Sequence, residues 1–489
     1  MTTPTEKIAP RNYAWGVGGV ADNLLTFGLA WTIFPIFNIG YGVDAFWLGV
    51  AIFLPRLIDV ITDPIMGMIS DRTRSRFGRR RPYIFLGTIL MAVLFALLWL
   101  PPFEAVATGD VAAASVATAE ASGGSGWSIP PLPTGDELAL LVWVGVIYTL
   151  ITLSYTVFSV PYIALGYEFT RNYDTMTRVM ASRLYFTTLA SFGVAGLYRL
   201  SVDEGLFGGD ETLGMRYVGV GVAVLVVLTG IVPAIACREE RQVERPKVKA
   251  SMREIASVTL GNRSFLMVMA AMLIFVISLY TTGVMGTHIN VFYVAQGDKE
   301  KGAEYVGWVG VIIALCTLVG MYPMTRISQM LSKRSVLLFA FGLIITGYAS
   351  FWFTWNQDTP RLQYISAAIV GLGSSGIWLM LDSMIGDVTK DDEARNGVQR
   401  EGLYGAAKSF MFKLAVAVTS ISGAFTLSVS GFEEGVDPSE EVQLNLRFLY
   451  IIVQCTGTAL AMVAIWFFPI SRARAEENER LIDARKQRG

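Results

Sequence analysis

Predominantly apolar stretches recur along the chain, separated by polar connections, and a bilayer's hydrocarbon core requires about 20 such residues per helix. The pattern predicts twelve membrane-spanning helices, near residues 12–41, 44–70, 82–102, 137–167, 179–201, 217–237, 263–293, 304–330, 335–354, 361–388, 402–429 and 445–469. The connections test that count, because Lys and Arg gather on the cytoplasmic side. Arg72, Arg74, Arg76, Arg79, Arg80 and Arg81 crowd the second connection, and Arg238, Arg241, Arg245, Lys247, Lys249 and Arg253 crowd the sixth. The third, 103–136, and the eleventh, GFEEGVDPSEE, contain no Lys or Arg. Basic and non-basic connections thus fall on opposite sides, and an even count returns the basic tail RARAEENERLIDARKQRG to the cytoplasm. The first thirteen residues are polar and lack a small-residue cleavage motif, so the N-terminus is expected to be retained and cytoplasmic as well. The expected location is the cell inner (plasma) membrane, as a multi-pass monomer.

Composition agrees with the pattern. Hydrophobic residues make up 53% of the 489, charged residues 16%, and the mean hydropathy is +0.49, whereas a soluble domain is roughly 25% charged. The 39 basic and 40 acidic residues leave a net charge of -1, which gives no global attraction to nucleic acid. Cys237, Cys316 and Cys455 are too scattered for a disulfide scaffold, a zinc site or a redox motif. No nucleophile with a base, metal cluster or phosphate loop emerges, so neither an enzyme nor an organic cofactor is expected. GLGSSG in the tenth span sits in an apolar helix without the strand that dinucleotide binding needs; its small residues suit close helix packing.

An internal repeat divides the chain. GMISDRTRSRFGRRRPYIFLGTIL after the second span has a degraded counterpart, GMYPMTRISQMLSKRSVLLFAFGL, six spans later. Parallel six-helix repeats build one class of secondary transporters. The expected organisation is an N-terminal half, 1–237, a solvated cytoplasmic linker, 238–262, a C-terminal half, 263–470, and a cytoplasmic tail, 471–489. The insert within 103–136 is rich in Ala, Ser, Gly and Pro and is expected to be a flexible flap rather than a ligand lid.

An ionisable side chain at the bilayer centre costs at least about 2.5 kcal/mol, so each one inside a span raises a functional question. In the second span PRLIDVITDPIMG places Arg56, Asp59 and Asp63 at spacings of three and four, one helical face, with Thr62 beside it. Two carboxylates a turn apart cannot both stay charged and unpaired; they share a proton, hold a cation or pair with a base. A structural salt bridge to Arg56 or a lysine is the plainer alternative to a cation site. Pro64 removes a helical hydrogen bond and frees backbone oxygen nearby. Lys413, deeper in the eleventh span than a snorkelling side chain reaches, is the expected partner of the pair, and Lys408 is expected to be solvated. Arg199 reads as an anchor at the outer end of the fifth span, Asp387 as structural, and Asp382 as buried or capping. His288, the only histidine, reads as a core residue or as a proton relay. Asp22, Asn23 and Arg183 complete the intramembrane set.

Three blocks carry a resemblance: RLIDVITDPIMGMISDRTRSRFGRRRPYIFLGT, YTVFSVPYIALGYEFTRNYDTMTRVMASR and RNGVQREGLYGAAKSFMFK, which together occupy roughly a fifth of the chain. They resemble the glycoside-pentoside-hexuronide:cation symporter family of the major facilitator superfamily. The resemblance implies an all-α membrane protein with two pseudo-symmetric six-helix bundles. It implies that Asp59 and Asp63 bind the coupling cation, sodium or proton, with Thr62, Thr156 and Lys413 at the cation site. It also implies a substrate site drawn from Asp22, Asn23, Ser159, Tyr162, Arg183, His288 and Trp378. The second connection, with Gly67, Asp71, Arg72 and Arg79, would latch the cytoplasmic gate. Sugar-binding members have an aspartate where this chain has Ser159 and a tryptophan where it has Ile163, and their first-span lysine-aspartate pair is reduced to Asp22 and Asn23.

The expected function is cation-coupled symport of a glycoside or hexuronide-like small molecule by alternating access. The alternatives are a lysolipid carrier and a ligand sensor that transports nothing. With the acid missing at Ser159, Arg183 would make the cavity basic and favour an anionic ligand, unless a carboxylate such as Glu168 neutralises it.

Overall fold

The computed structural model describes residues 14–102, 132–166, 169, 173–237, 261–397, 401–432 and 437–488, and among them there is helix but no strand. The insert at 103–131, the linker at 238–260 and Glu168 lie outside the described residues. In chain order the long helices are α1 (Ala14–Gly40), α2 (Ala45–Arg72), α3 (Arg81–Leu98), α4 (Gly135–Gly166), α5 (Tyr173–Ala195) and α6 (Glu211–Ala236). They continue as α7 (Arg263–Val294), α8 (Lys299–Met330), α9 (Lys333–Thr354), α10 (Gln363–Asn396), α11 (Glu401–Val429), α12 (Glu440–Trp466) and the tail helix α13 (Arg472–Arg488). Among the described residues, eleven helices are long and apolar enough to cross a membrane. The remaining member of the twelve, α5, falls short because its sequence intersperses Arg178 and Arg183 with Ser and Thr.

Helix starts follow from capping chemistry, which satisfies N–H groups that have no partner within the helix. Asp44 accepts from the Trp47 N–H ahead of α2, Asp210 from those of Thr212 and Leu213 ahead of α6, and Asp298 from that of Lys301 ahead of α8. At the other end of α10, Gly397 takes a left-handed φ of 69°, a conformation that favours glycine and stops the helix. α1 contains wide π-type turns over Leu24–Gly28 and Pro35–Gly40, and α7 ends in another, Ile289–Val294. Such turns re-aim side chains and are frequent at functional sites.

Two apolar cores form. One gathers buried residues from Trp15 to Cys237, the other from Phe265 to Ile470, and only a few side chains, such as Ala45, Val291 and Ala424, pack on the opposite core. This is the two-bundle plan that the resemblance implies. The halves are joined at the end of the molecule remote from the Arg72–Arg81 connection. There Gly49 of α2 lies against α11: a Cβ at this position would stand 2.4 Å from the Ala424 Cβ and 2.6 Å from the Ser420 carbonyl oxygen. Arg199 Nη2 meets Glu300 at 2.5 Å, and Lys299 meets Glu211 at 2.5 Å, both pairs crossing between halves. At the other end α13 docks on α10, where Asp391 accepts from Arg474 Nε at 2.8 Å and Asn478 Nδ2 at 3.0 Å.

Arg199 is therefore more than an anchor. It lies just beyond α5, in a short helix, Leu197–Ser201, and its fork holds Asp203 of its own half as well as Glu300 of the other.

Candidate functional site

A cavity of about 240 Å³ lies between the halves, walled by α1, α2, α4, α7 and α11. Its lining includes Arg56, Asp59, Thr152, Tyr155 and Lys413, set among apolar residues such as Leu29, Ile33, Phe34, Ile52 and Val416.

The spacing of three and four along α2 brings Asp59 and Asp63 to the same face, and antiparallel packing of α11 carries Lys413 to that face from the other half. Lys413 Nζ lies 2.9 Å from Asp59 Oδ2 and 2.5 Å from Asp63 Oδ2. Thr156 Oγ1 donates to Asp59 Oδ1 at 3.0 Å, and Thr62 Oγ1 is 3.4 Å from Thr156 Oγ1. Thr62 also donates to the Asp59 carbonyl, at 3.3 Å. Asp63 Oδ1 is buried without a hydrogen-bond partner. Two carboxylates thus converge on one ammonium, with two threonine hydroxyls beside Asp59, and oxygen groups of this kind suit a hard cation or a proton. Among the described residues no group of three or more His, Cys, Asp or Glu could hold a metal ion. Arg56 takes no part in this cluster: its guanidinium carbon lies 5.4 Å from the centroid of the Tyr148 ring.

A second polar cluster adjoins the cavity behind Thr26 and Tyr155. Asp22 pairs with Arg183 and accepts from Tyr155 Oη at 2.7 Å, and Thr26 donates to Tyr155 at 3.2 Å. Asn23 donates to Ser191 at 3.1 Å, while its Oδ1 and Arg183 Nε are buried without partners. The pairing with Asp22 changes the expectation for Arg183. Its charge is answered inside the protein by Asp22, a residue already singled out, so it is no free anion receptor.

Several expected substrate residues lie off the cavity wall. Tyr162 stacks on Trp15, ring centroids 5.0 Å apart, and donates to its carbonyl at 3.1 Å, while Trp15 Nε1 donates back to the Tyr162 carbonyl at 2.8 Å. This reciprocal pair makes Tyr162 a clasp between α1 and α4, though it still faces Arg183, whose guanidinium carbon is 5.8 Å from its ring. Ser159 is buried and absent from the cavity lining. Trp378 packs between Phe275 and Phe412, of which Phe412 lines the cavity.

His288 is also off the wall, completely buried at the joined end. Asn38 Nδ2 donates to the Val43 carbonyl at 2.8 Å, which turns Asn38 Oδ1 toward His288 Nε2, also at 2.8 Å. His288 Nδ1 lies 3.0 Å from the Val284 carbonyl oxygen of its own helix, so the ring bridges α7 to Asn38 of the other half. Its place is far along α7, past the apolar wall, which is why it does not reach the cavity. Of the expected gate residues, Gly67 is half-buried, Arg72 is exposed at the end of α2 and Arg79 is half-buried. The side chain of Asp71 lies outside the described residues. Lys408, expected to be solvated, pairs with the largely exposed Asp382, and Asp387 with Lys333 at 2.6 Å.

Tyr155, Tyr148, Tyr280 and Phe412 were not among the expected site residues. Tyr155 had a signal, since it directly precedes Thr156 in the fourth-span block; the other three read as ordinary span aromatics.

A family model described as "MFS/sugar transport protein" matches residues 14–472. Among curated relatives, the uncharacterized symporter YnaJ of Bacillus subtilis is 23% identical, with 96% of this chain and 93% of that protein aligned. The glucuronide carrier protein homolog of Escherichia coli is likewise 23% identical, covering 97% of this chain and 95% of its own length. In fold the chain is similar to a mutant of the nucleoside transporter NupG, with a TM-score of 0.64 at 11% identity over 94% of this chain and 99% of that one.

Proposed function

Because the chain belongs to the MFS/sugar transport family, a family of multi-pass membrane transporters and not of enzymes, we propose that it couples uptake of a glycoside-type small molecule to a cation. The proposed setting is the inner membrane, with the Arg72–Arg81 connection and both termini in the cytoplasm. The observation that carries the coupling is the Lys413 ammonium held between Asp59 and Asp63, with a carboxylate oxygen left over. A sodium ion or proton entering this oxygen set replaces the ammonium as counter-charge and releases Lys413 from α2. Because Lys413 belongs to one half and the aspartates to the other, ion binding changes what holds the halves together. Ion and substrate then raise each other's affinity by the same factor.

The glycoside reading draws on the Asp22, Asn23, Tyr155 and Arg183 cluster. A paired acid and base with amide and phenol groups offers both acceptors and donors to hydroxyls. The joined end, closed by the Arg199–Glu300 and Lys299–Glu211 pairs, is the outward mouth in this orientation, and rocking of the halves would open it.

The test is uptake into proteoliposomes under an imposed sodium or proton gradient. Accumulation above the equilibrium level is expected from the parent protein and lost in both Asp59→Asn and Asp63→Asn, since an amide cannot carry the charge the ion compensates. Equal accumulation with and without a gradient would remove the coupling.

A further inference from the structure

The contacts that close the joined end are of two kinds. In the Arg199–Glu300 and Lys299–Glu211 pairs the basic side chains stay 29% and 38% exposed. His288 and Asn38 instead meet at 0% exposure. They belong to α7 and α1, the first helix of each half, and each lies in or directly beside the π-type turn where its helix departs from regular winding.

We infer that His288 is a positioning residue of the outward gate: its neutral ring, bonded to Asn38, holds the joined end shut, and a second proton on the ring favours the state in which the halves have parted there. This rests on the rocking of the halves in the transport reading and not on the coupling ion. Each ring nitrogen faces an oxygen, Nδ1 the Val284 carbonyl at 3.0 Å and Nε2 the Asn38 Oδ1 at 2.8 Å. A neutral ring brings one N–H to these two oxygens, and the form that joins the halves carries it on Nε2. A second proton would meet an acceptor at Val284, but it would also seal a cation between Phe292 and Phe432, whose ring centroids lie 6.5 and 4.8 Å away. Among the described residues no acid or base faces it. From α2, Asp44 beside Val43 accepts from the Trp47 N–H; from α1, Tyr41 stacks on Phe37. From α7 and α12, Tyr293 and Arg447 face each other, the guanidinium carbon 4.1 Å from the ring centroid. Glu433 and Glu434, which follow Phe432, lie outside the described residues. One hydrogen bond from a charged donor does not offset the desolvation of an ion that lacks a counter-charge. Parting the halves brings water to the ring, which then takes up a proton in the ordinary histidine range. By linkage that proton favours the parted state. The Arg199 and Lys299 pairs are wet already, and their groups keep their charges in this range.

The test is the distance distribution between spin labels at Leu206→Cys and Asp358→Cys, exposed residues at the outward end of opposite halves. It uses the full chain without Cys237, Cys316 and Cys455, in lipid nanodiscs at fixed sodium. From about pH 7.5 to about pH 5.5 the ratio of open to closed populations should rise about threefold to tenfold, tenfold being the limit for one hydrated histidine that titrates near 6.5. His288→Gln keeps a donor for Asn38 and does not titrate, so it should stay closed and flat with pH. His288→Ala, without the donor, should be more open than the parent at about pH 7.5 and equally flat. Asn38→Asp supplies the missing counter-charge, so acid should now favour the closed state. Glu433→Gln combined with Glu434→Gln should keep the parent's response. A parent ratio that ignores pH overturns the inference, as does a response that survives His288→Gln or vanishes in the double glutamate variant. If His288→Gln does not fold, Asn38→Asp decides, and opening by acid there as in the parent overturns it. A gate indifferent to pH would leave cation-coupled symport standing. Uptake that ignores ion gradients, with a gate that responds to pH, would end the coupling and leave this inference standing.

Discussion

Lys413 neutralises two carboxylates at once, so its removal has a sharper signature than the loss of either acid. In Lys413→Ala the aspartates face each other without a base, which lowers stability in ion-free buffer by at most about 3 kcal/mol, given that Lys413 is 24% exposed. Added ion then has no competitor. The apparent ion affinity should rise about tenfold or more, and the melting temperature should become strongly dependent on sodium or on pH. A variant that responds to the ion as the parent does would show that the ammonium and the ion use different places. Asp210, outside the spans, gives a pH prediction. Burial pushes its carboxyl up, but the N–H bonds from Leu213 and Thr212 outweigh that and hold it below the ordinary aspartate value. A carboxyl depressed in the folded state stabilises above its unfolded value, near 4, and loses that contribution as pH falls through the folded value. Asp210→Asn keeps the cap acceptor without the charge. It should cost up to about 1 kcal/mol at neutral pH, and its melting curve should converge on the parent's as pH falls through the depressed folded-state value.

Among the elements, α2 and α11 carry the cluster of Asp59, Asp63 and Lys413 and also touch at Gly49. Because a Cβ there would collide with Ala424 and the Ser420 carbonyl, Gly49→Leu should part these helices at the joined end. In a background lacking Cys237, Cys316 and Cys455, Ser420→Cys should label several times faster with an impermeant thiol reagent once Gly49→Leu is added. Unchanged labelling would mean that the contact yields without separation. The same helices show what a sequence can and cannot tell. Hydropathy located the spans because lipid selects apolar residues, but it marks the bilayer's edge and not the last helical hydrogen bond. α8 therefore starts at Lys299, five residues before the apolar stretch expected from 304, on the Asp298 cap, and α10 runs on through TKDDEARN to Gly397. The aspartate pair and Lys413 were legible because charges inside spans are scarce. The contacts of His288 with Asn38 and of Arg199 with Glu300 were not, since nothing local to either residue encodes a partner on the other half.

For the molecule as a whole, the proposed scheme makes the ion pairs at the joined end set the balance between its two mouths. Arg199→Glu places like charges beside Glu300 and should shift the population toward opening at that end, seen as a longer distance between spin labels on α5 and α8. Arg199→Glu combined with Glu300→Arg should restore most of the parent distance. Failure of the double swap to restore it would assign the effect to Asp203 or to local unfolding. The ammonium seated on Asp59 and Asp63 bears on the same balance from the middle of the membrane. An idle carrier has to swing back empty, and it does so under the proposed scheme with its own side chain plugging the ion's seat. Copies waiting without substrate then do not ferry ions down their gradient, and the cell can keep many of them in its membrane without short-circuiting the battery that drives them.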